Sequence, residues 1–209
     1  KLKNILTLIK TKKSKVPLFI LIFLFFSILY WIADIKSLEN QIPVIKDVPS
    51  LSLTNQNGIT FTDQNFLGKV TILDFIFTNC LGPCPMMSNN MKSLYEGNSS
   101  NPEVQFVSIT VDPDRDTEIT LLEYSLAYGV NDDRWHFLTG EIESIKSICE
   151  DGFLLFSRNL PEGHAIKFVL IDHKGQIRKY YDGTDRQEML NIQKDLDRFV
   201  KISRVTDEA

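Results

Sequence analysis

An α/β fold, a sheet with helices packed against it, is the class this sequence predicts, and three observations point to it. Two near-continuous apolar runs of strand length, "GKVTILDFIF" (68–77) and "VQFVSITVD" (104–112), read as strands buried on both faces. Each is followed by a segment of helical character, so strand and helix alternate along the chain. Of the 209 residues, 43% are hydrophobic, enough for one compact domain of ordinary size and something smaller.

The smaller piece comes first. Residues 16–33, "VPLFILIFLFFSILYWIA", hold no charge over eighteen positions, the minimum for a helix that crosses a bilayer. Lys1, Lys3, Lys10, Lys12, Lys13 and Lys15 precede it without a single acid. The positive-inside rule therefore predicts a cytoplasmic basic N-terminus over 1–15 and a single transmembrane helix over 16–33. The remainder is expected on the periplasmic or other extracytoplasmic side of a bacterial cytoplasmic (inner) membrane. Tyr30 and Trp31 fall at the outer interface. A cleaved secretory signal fits less well, because the run is longer than a usual signal core and only Ala33 offers a small residue after it. Residues 34–47, of mixed charge and no apolar period, read as a tether, and 48–209 as the folded domain.

Within that domain "LSLTNQNGITFT" predicts a hairpin turning at Asn57 and Gly58. Strand 68–77 ends in a cysteine loop and a helix over 85–95. Strand 104–112 leads to "PDRDTEITLLEYSLAYG", where Asp116 or Thr117 caps a helix that Gly129 ends. "WHFLTG" is a short strand and 142–150 a short helix. "AIKFVLID" turns through "HKG" into "QIRKYY", a second hairpin, and an amphipathic helix over 185–204 closes the chain. Strand, helix, strand, helix, hairpin, helix is the order of a thioredoxin-like sandwich, here with an extra N-terminal β-hairpin.

Setting aside the six N-terminal lysines, 17 of the 23 basic residues stand against 27 acidic ones, a net charge of −10 over 34–209. Such a domain does not hold nucleic acid through its phosphates. Outside the cytoplasm its cysteines are oxidised, metal-bound or actively kept reduced.

The chemistry concentrates in "DFIFTNCLGPCPMM" (74–87), which places Cys80 and Cys84, two of three cysteines, between the end of a buried strand and the start of a helix. Pro85 suits the first helical position. Unpaired amides and the positive end of the helix dipole then lower a thiol pKa and favour thiolate, the form that attacks disulfides and binds metals. Leu81, Gly82 and Pro83 separate the pair, one residue more than in thioredoxin-type enzymes. The longer loop lets both sulfurs converge on one ion and also permits a disulfide. Two thiolates suit copper(I), whereas structural zinc takes four ligands. A purely structural disulfide here would constrain little chain. Of the histidines, His173 in the "DHKG" turn reads as solvated and His136 beside Trp135 as structural. His164, just before "AIKFVLID", enters a strand at the end facing the cysteine loop and is the candidate third ligand.

In this order "FTNCLGPCP", "VDPDRDT", "FLTG" and "GHAIKFVLID" resemble the signature blocks of the Sco (SenC) family, membrane-anchored copper chaperones of cytochrome oxidase assembly, over residues 49–201. The resemblance implies that Cys80, Cys84 and His164 bind one copper ion per chain, as Cu(I) or Cu(II). It also implies delivery of copper to the copper-site subunit of a terminal oxidase, or reduction of that site's cysteines, with other copper carriers or thiol reductants as further partners. The chain departs from the pattern at Leu81, where the family often has proline, and at Gly163 and Glu162, where it often has aspartate beside the histidine. Asp112 and Glu162 are candidates to support the ligands, although the Asp112 block reads equally as a turn and helix cap. Met86, Met87 and Met91 carry soft thioethers, but Met87 and Met91 share one helix face and read as core. Cys149 reads as a buried thiol.

The alternative on the same residues is an extracytoplasmic thiol-disulfide oxidoreductase with Cys80 as attacking thiol. A peroxidase of the peroxiredoxin kind is excluded, since Phe77 and Leu73 stand where its motif needs threonine and proline. A stable subunit of a respiratory supercomplex fits the anchor and leaves the cysteines unexplained.

Overall fold

The computed structural model describes residues 18–157, 160, 161 and 163–207. The chain divides into two units, one ending at Asn40 and one starting at Gln41.

In the first unit, α1 runs over Leu18–Asn40. Its large apolar side chains from Ile20 to Trp31 are exposed. Among the described residues no helix is long and apolar enough to cross a membrane. Residues 1–17, which hold the basic segment and the start of the expected span, lie outside the described residues. The helix continues through the first half of the expected tether because 33–40 contain neither glycine nor proline to stop it.

The second unit contains a single eight-stranded sheet. In chain order its elements are β1 (Lys46–Asp47), β2 (Ser52–Asn55), β3 (Thr60–Thr62), β4 (Val70–Ile76), α2 (Cys84–Gly97), β5 (Val104–Thr110) and α3 (Glu118–Ala127). They continue with β6 (Trp135–Thr139), α4 (Ile142–Ser147), β7 (Lys167–Ile171), β8 (Gln176–Asp182) and α5 (Arg186–Asp207). The strand order is β1-β8-β7-β4-β5-β6-β2-β3. At the centre β4, β5 and β6 are parallel, with Val70 opposite Val104 and Ile76 opposite Thr110. All seven positions of β4 and of β5 are buried, as their unbroken apolar runs require.

One edge differs from the sequence reading, and the other is the expected N-terminal hairpin. Lys46 and Asp47, the end of the expected tether, pair with Ile177 and Gln176 and add an edge strand to β8. The β2–β3 hairpin extends the main sheet, since Thr54 and Asn55 pair with Thr139 and Leu138 of β6. Its turn is made by Gly58 at φ +72° and by the Asn55 side chain, which accepts the N–H groups of Asn57 and Ile59 at 2.9 Å each.

The sheet is covered on both faces. Leu73, Phe75, Val107 and Ile109 share one core with Phe61, Phe66, Ile145 and Phe153. Asp74 and Ser108, one position out of phase, point to the opposite face, where α2, α3 and α5 pack. There Ser88 of α2 bonds Tyr124 of α3, and Asn98 just past α2 bonds Gln193 of α5. Thr117, not Asp116, caps α3, its hydroxyl accepting the Thr120 N–H at 3.3 Å. The helix expected over 142–150 ends as α4 at Ser147 and widens into a π turn over Ile148–Gly152.

His173 corrects an expectation. It is only 8% exposed, because the β7–β8 turn folds onto the entry to β4 and the His173 carbonyl accepts the Gly68 N–H at 2.8 Å.

Candidate functional site

Strand β4 ends at Ile76, and the chain crosses an irregular loop before α2 begins at Cys84. Cys84 is thus the first residue of a helix, held from below by the sheet and fully buried. Cys80 lies on the loop, and its sulfur accepts the Gly82 N–H at 3.3 Å. His164 comes from the far side of the chain, fixed by an antiparallel bridge to Ser157 just ahead of β7. These three converge: the Cys84 sulfur is 3.6 Å from Nε2 of His164, across 80 residues of sequence, and the Cys80 thiol is a hydrogen-bond neighbour of Cys84. All three cysteines are free thiols.

The two thiols are not equivalent. A cleft of about 390 Å³ opens onto Cys80 and His164, with Phe77, Leu81, Pro83 and Ile166 around them, while Cys84 lies behind this wall. Cys80 is 9% exposed, His164 7% and Cys84 0%. Leu81, at the tip of the loop, is wholly exposed. The Phe77 ring meets the His164 ring edge-on at 5.8 Å and limits how the imidazole can turn.

Electrostatics here run against the simple expectation that its helix start makes the Cys84 thiol acidic. Burial pushes the Cys84 thiol up to about 12, aided by its hydrogen bond with Cys80 and by the nearby Asp74 carboxyl, while a backbone hydrogen bond from Phe77 only partly opposes this. Burial also holds His164 below the usual histidine range, so its imidazole is neutral at neutral pH. Nδ1 of His164 is 3.2 Å from the Ala165 carbonyl, which can only accept, so Nδ1 carries the proton and Nε2 turns its lone pair toward Cys84. The arrangement is a neutral thiol donating to a neutral imidazole. Removing the Cys84 proton, by a metal or by a base, is what activates it.

The donor set, two thiols and an imidazole nitrogen, fits a soft or borderline ion such as copper. Among the described residues no group of three or more His, Cys, Asp or Glu side chains stands at the spacing of an assembled metal site, so the three are neighbours and not yet a coordination sphere.

Other sequence candidates fall elsewhere. Asp112 is at the turn after β5, where its carboxylate pairs with Arg115 at 3.1 Å and its carbonyl accepts the N–H groups of Arg115 and Asp116. Glu162 lies outside the described residues. His136 packs on Phe61 at 5.0 Å in β6, away from the cleft. Met87 and Met91 are fully buried core, and Met86 is exposed beside Met189 in a separate groove. Cys149 is buried in the π turn, its thiol raised to about 12 by burial.

One buried acid escaped the sequence reading, and a second was read there only as a candidate helix cap. Asp74, in the middle of β4, is fully buried; Ser108 donates to one carboxyl oxygen at 2.6 Å, and the other has no hydrogen-bond partner among the described residues. Burial raises it to about 7. A lone acid inside "ILDFIF" was the available signal. Asp116 is also fully buried and bonds Thr78, two residues before Cys80.

With this geometry in place, the sequence pattern of the SCO1/SenC family matches residues 45–201. The chain belongs to the SCO1/SenC family. Solved structures of that family share its fold. A SCO1/SenC family lipoprotein from Bacillus anthracis is 33% identical, covers 74% of this chain and 95% of its own, and superposes with a TM-score of 0.68. BsSco, described as a member of the Sco family of cytochrome c oxidase assembly proteins with a disulfide switch, is 27% identical, covering 76% and 97%, at 0.67. Arabidopsis thaliana ScoI, solved with copper bound, is 27% identical, covering 75% and 98%, at 0.60. The SCO1/SenC match spans both cysteines, His164 and the Asp116 block, and leaves α1 outside.

Proposed function

We propose that this protein binds one copper ion as its cargo through the sulfurs of Cys80 and Cys84 and Nε2 of His164, and passes it to the copper-site subunit of a terminal respiratory oxidase during assembly. The observation that carries this reading is the 3.6 Å approach of His164 Nε2 to the buried Cys84 sulfur behind a cleft that exposes Cys80. Copper bound to the Arabidopsis relative and the oxidase-assembly role of BsSco's family support it. Cys80 meets the incoming ion first, because it faces the cleft. Cys84 closes the site from behind, its proton leaving as the sulfur becomes a ligand. Release reverses the order, one sulfur at a time, which suits transfer by ligand exchange to a partner or from another copper carrier. The apolar run and its preceding lysines support a single-pass anchor, and the lipoprotein character of the Bacillus anthracis relative supports a membrane-associated domain outside the cytoplasm, without bearing on the helix.

A second reading is favoured by the free dithiol and its asymmetry. As a reductant of the oxidase subunit's thiols, the Cys80 thiolate attacks a disulfide sulfur and expels one partner thiol, leaving a mixed disulfide. Cys84 then gives its proton to His164 Nε2 and attacks the Cys80 sulfur, expelling the second partner thiol and leaving a Cys80–Cys84 disulfide.

Anaerobic Cu(I) titration of the reduced chain, beside Cys84→Ala and His164→Ala, separates the two. One ion per wild-type chain is expected, with binding weakened more than about tenfold in each variant, a loss of at least ~1.4 kcal/mol. If the wild type takes up no copper, or His164→Ala binds as well while the dithiol still reduces a disulfide, transfer is refuted and the reductant reading replaces it.

A further inference from the structure

Of the three site residues, two are held by regular structure: Cys84 by α2 and His164 by its bridge to Ser157. Cys80 is not. Its loop, 77–83, has no helix or strand, and apart from the neighbouring Cys84 thiol its sulfur has only the local Gly82 N–H. Something outside the loop must fix where Cys80 stands.

Asp116 is placed to do so. Its carboxyl group is fully buried beyond the C-terminal ends of β4 and β5, the crevice where α/β sheets place their sites. One oxygen accepts the Thr78 hydroxyl; the other accepts the Thr78 N–H at 3.0 Å and the Thr110 hydroxyl. Thr110 is free to donate because its own oxygen accepts the Asp112 N–H at 3.0 Å. Asp116 is itself pinned, its N–H bonding the Asp112 carbonyl at 2.9 Å. The last rung of the parallel ladder, Val111 N–H to the Ile76 carbonyl at 2.8 Å, ties the same two strand ends together. Among the described residues, and apart from the site residue Cys84 itself, Asp116 is the one side chain outside the loop that hydrogen-bonds it. A buried carboxylate with three donors is an expensive group to keep for helix capping, a task Thr117 already performs.

We propose that Asp116 is the positioning residue of the cysteine loop: by clamping Thr78 it sets the distance of Cys80 from Cys84 and His164. This inference deepens the site proposed above and rests on it. Loosening the clamp lowers the effective concentration of the Cys80 sulfur at its partners, so anything that needs both sulfurs together weakens.

The test uses the full chain with Asp116→Asn, Thr78→Val, which keeps the backbone bond, and Tyr181→Phe as a stability control far from the cleft. Two quantities are measured on folded protein. The first is the equilibrium in which the Cys80 and Cys84 thiols reduce one oxidised glutathione to two reduced molecules and form one intramolecular disulfide. The second is Cu(I) affinity against a competing chelator. Asp116→Asn and Thr78→Val are expected to lower both by about tenfold, while Tyr181→Phe loses stability and leaves both unchanged. Should Asp116→Asn fail to fold, Thr78→Val decides alone. Disulfide equilibria within threefold of wild type in the folded variants overturn the proposal. If the wild type binds no copper yet the variants still lower the disulfide equilibrium, the copper function fails and the positioning role stands.

Discussion

Asp74 is a carboxyl group in a strand whose other six residues carry no charge, and it has one hydrogen bond where two oxygens want partners. Burial raises it to about 7 from an ordinary 3.8. The consequence for stability has a definite sign. Below about pH 4 the group is protonated folded or unfolded and contributes nothing. Between about 4 and 7 the unfolded chain is ionised while the folded chain keeps the proton, so stability falls as pH rises, by ~1.4 kcal/mol per unit. Above 7 the loss is complete. Asp74→Asn removes this titration and keeps an acceptor for Ser108. Its stability relative to wild type should therefore improve by roughly 3 kcal/mol between pH 5 and pH 8, read from urea unfolding of both proteins. Parallel pH profiles would sink the assignment. Cys84 teaches a related lesson. Its place at a helix start was legible in "CPMM", and from that place alone an acidic thiol follows. The depth of burial that reverses the shift depends on β4, α2 and the wall of the cleft closing over one sulfur, which no local stretch of sequence states.

The strands and helices that build the site were the readable part. The unbroken apolar runs of β4 and β5, the Asn-Gly turn and Gly129 at φ +79° past α3 each signal locally, because one periodicity or one backbone requirement fixes them. What was not readable needed a partner. Two residues of β1 have no pattern of their own and become a strand only because β8 offers an edge; His173 is buried only because its turn lands on the start of β4. The π turn after α4 belongs to this class. Gly152 closes it against the Pro49 ring so tightly that an added Cβ would stand 2.6 Å from Pro49 Cγ and 2.9 Å from its Cβ. A proline ring cannot swing aside as a long side chain would. Gly152→Ala should cost about 1–3 kcal/mol by overpacking, measured as a lowered urea midpoint with unchanged slope. An unchanged midpoint would show that the 49–152 contact is loose. Because the segment after this turn leads through Phe153 to Ser157, the partner of His164, the same variant is also expected to lower Cu(I) affinity.

The chain as a whole has two solutions to the burial of apolar side chains, and they occupy separate stretches. From Gln41 onward the apolar residues of β4, β5 and β7 are enclosed by helices and by the β2–β3 hairpin, and the largest buried side chains, from Phe61 to Phe199, all belong to this unit. Before it, α1 leaves Phe23, Phe25, Phe26, Tyr30 and Trp31 exposed, more apolar surface than an aqueous helix tolerates. Lipid is the medium that would cover it, and the six preceding lysines would hold its start on the cytoplasmic side. The acidic domain, at −10 over residues 34–209, gains nothing from anionic headgroups and needs a physical link to remain at a membrane. The full chain, expressed in a bacterium, should therefore stay in the membrane pellet through alkaline carbonate washing. A chain of residues 41–209 should be soluble, unfold within about 2 °C of the full chain in detergent, and bind copper with the same stoichiometry. Extraction of the full chain by carbonate would refute the anchor. A truncated chain that fails to fold would instead show that residues 1–40 contribute to the domain itself, so the two outcomes test the membrane and the independence of the fold separately.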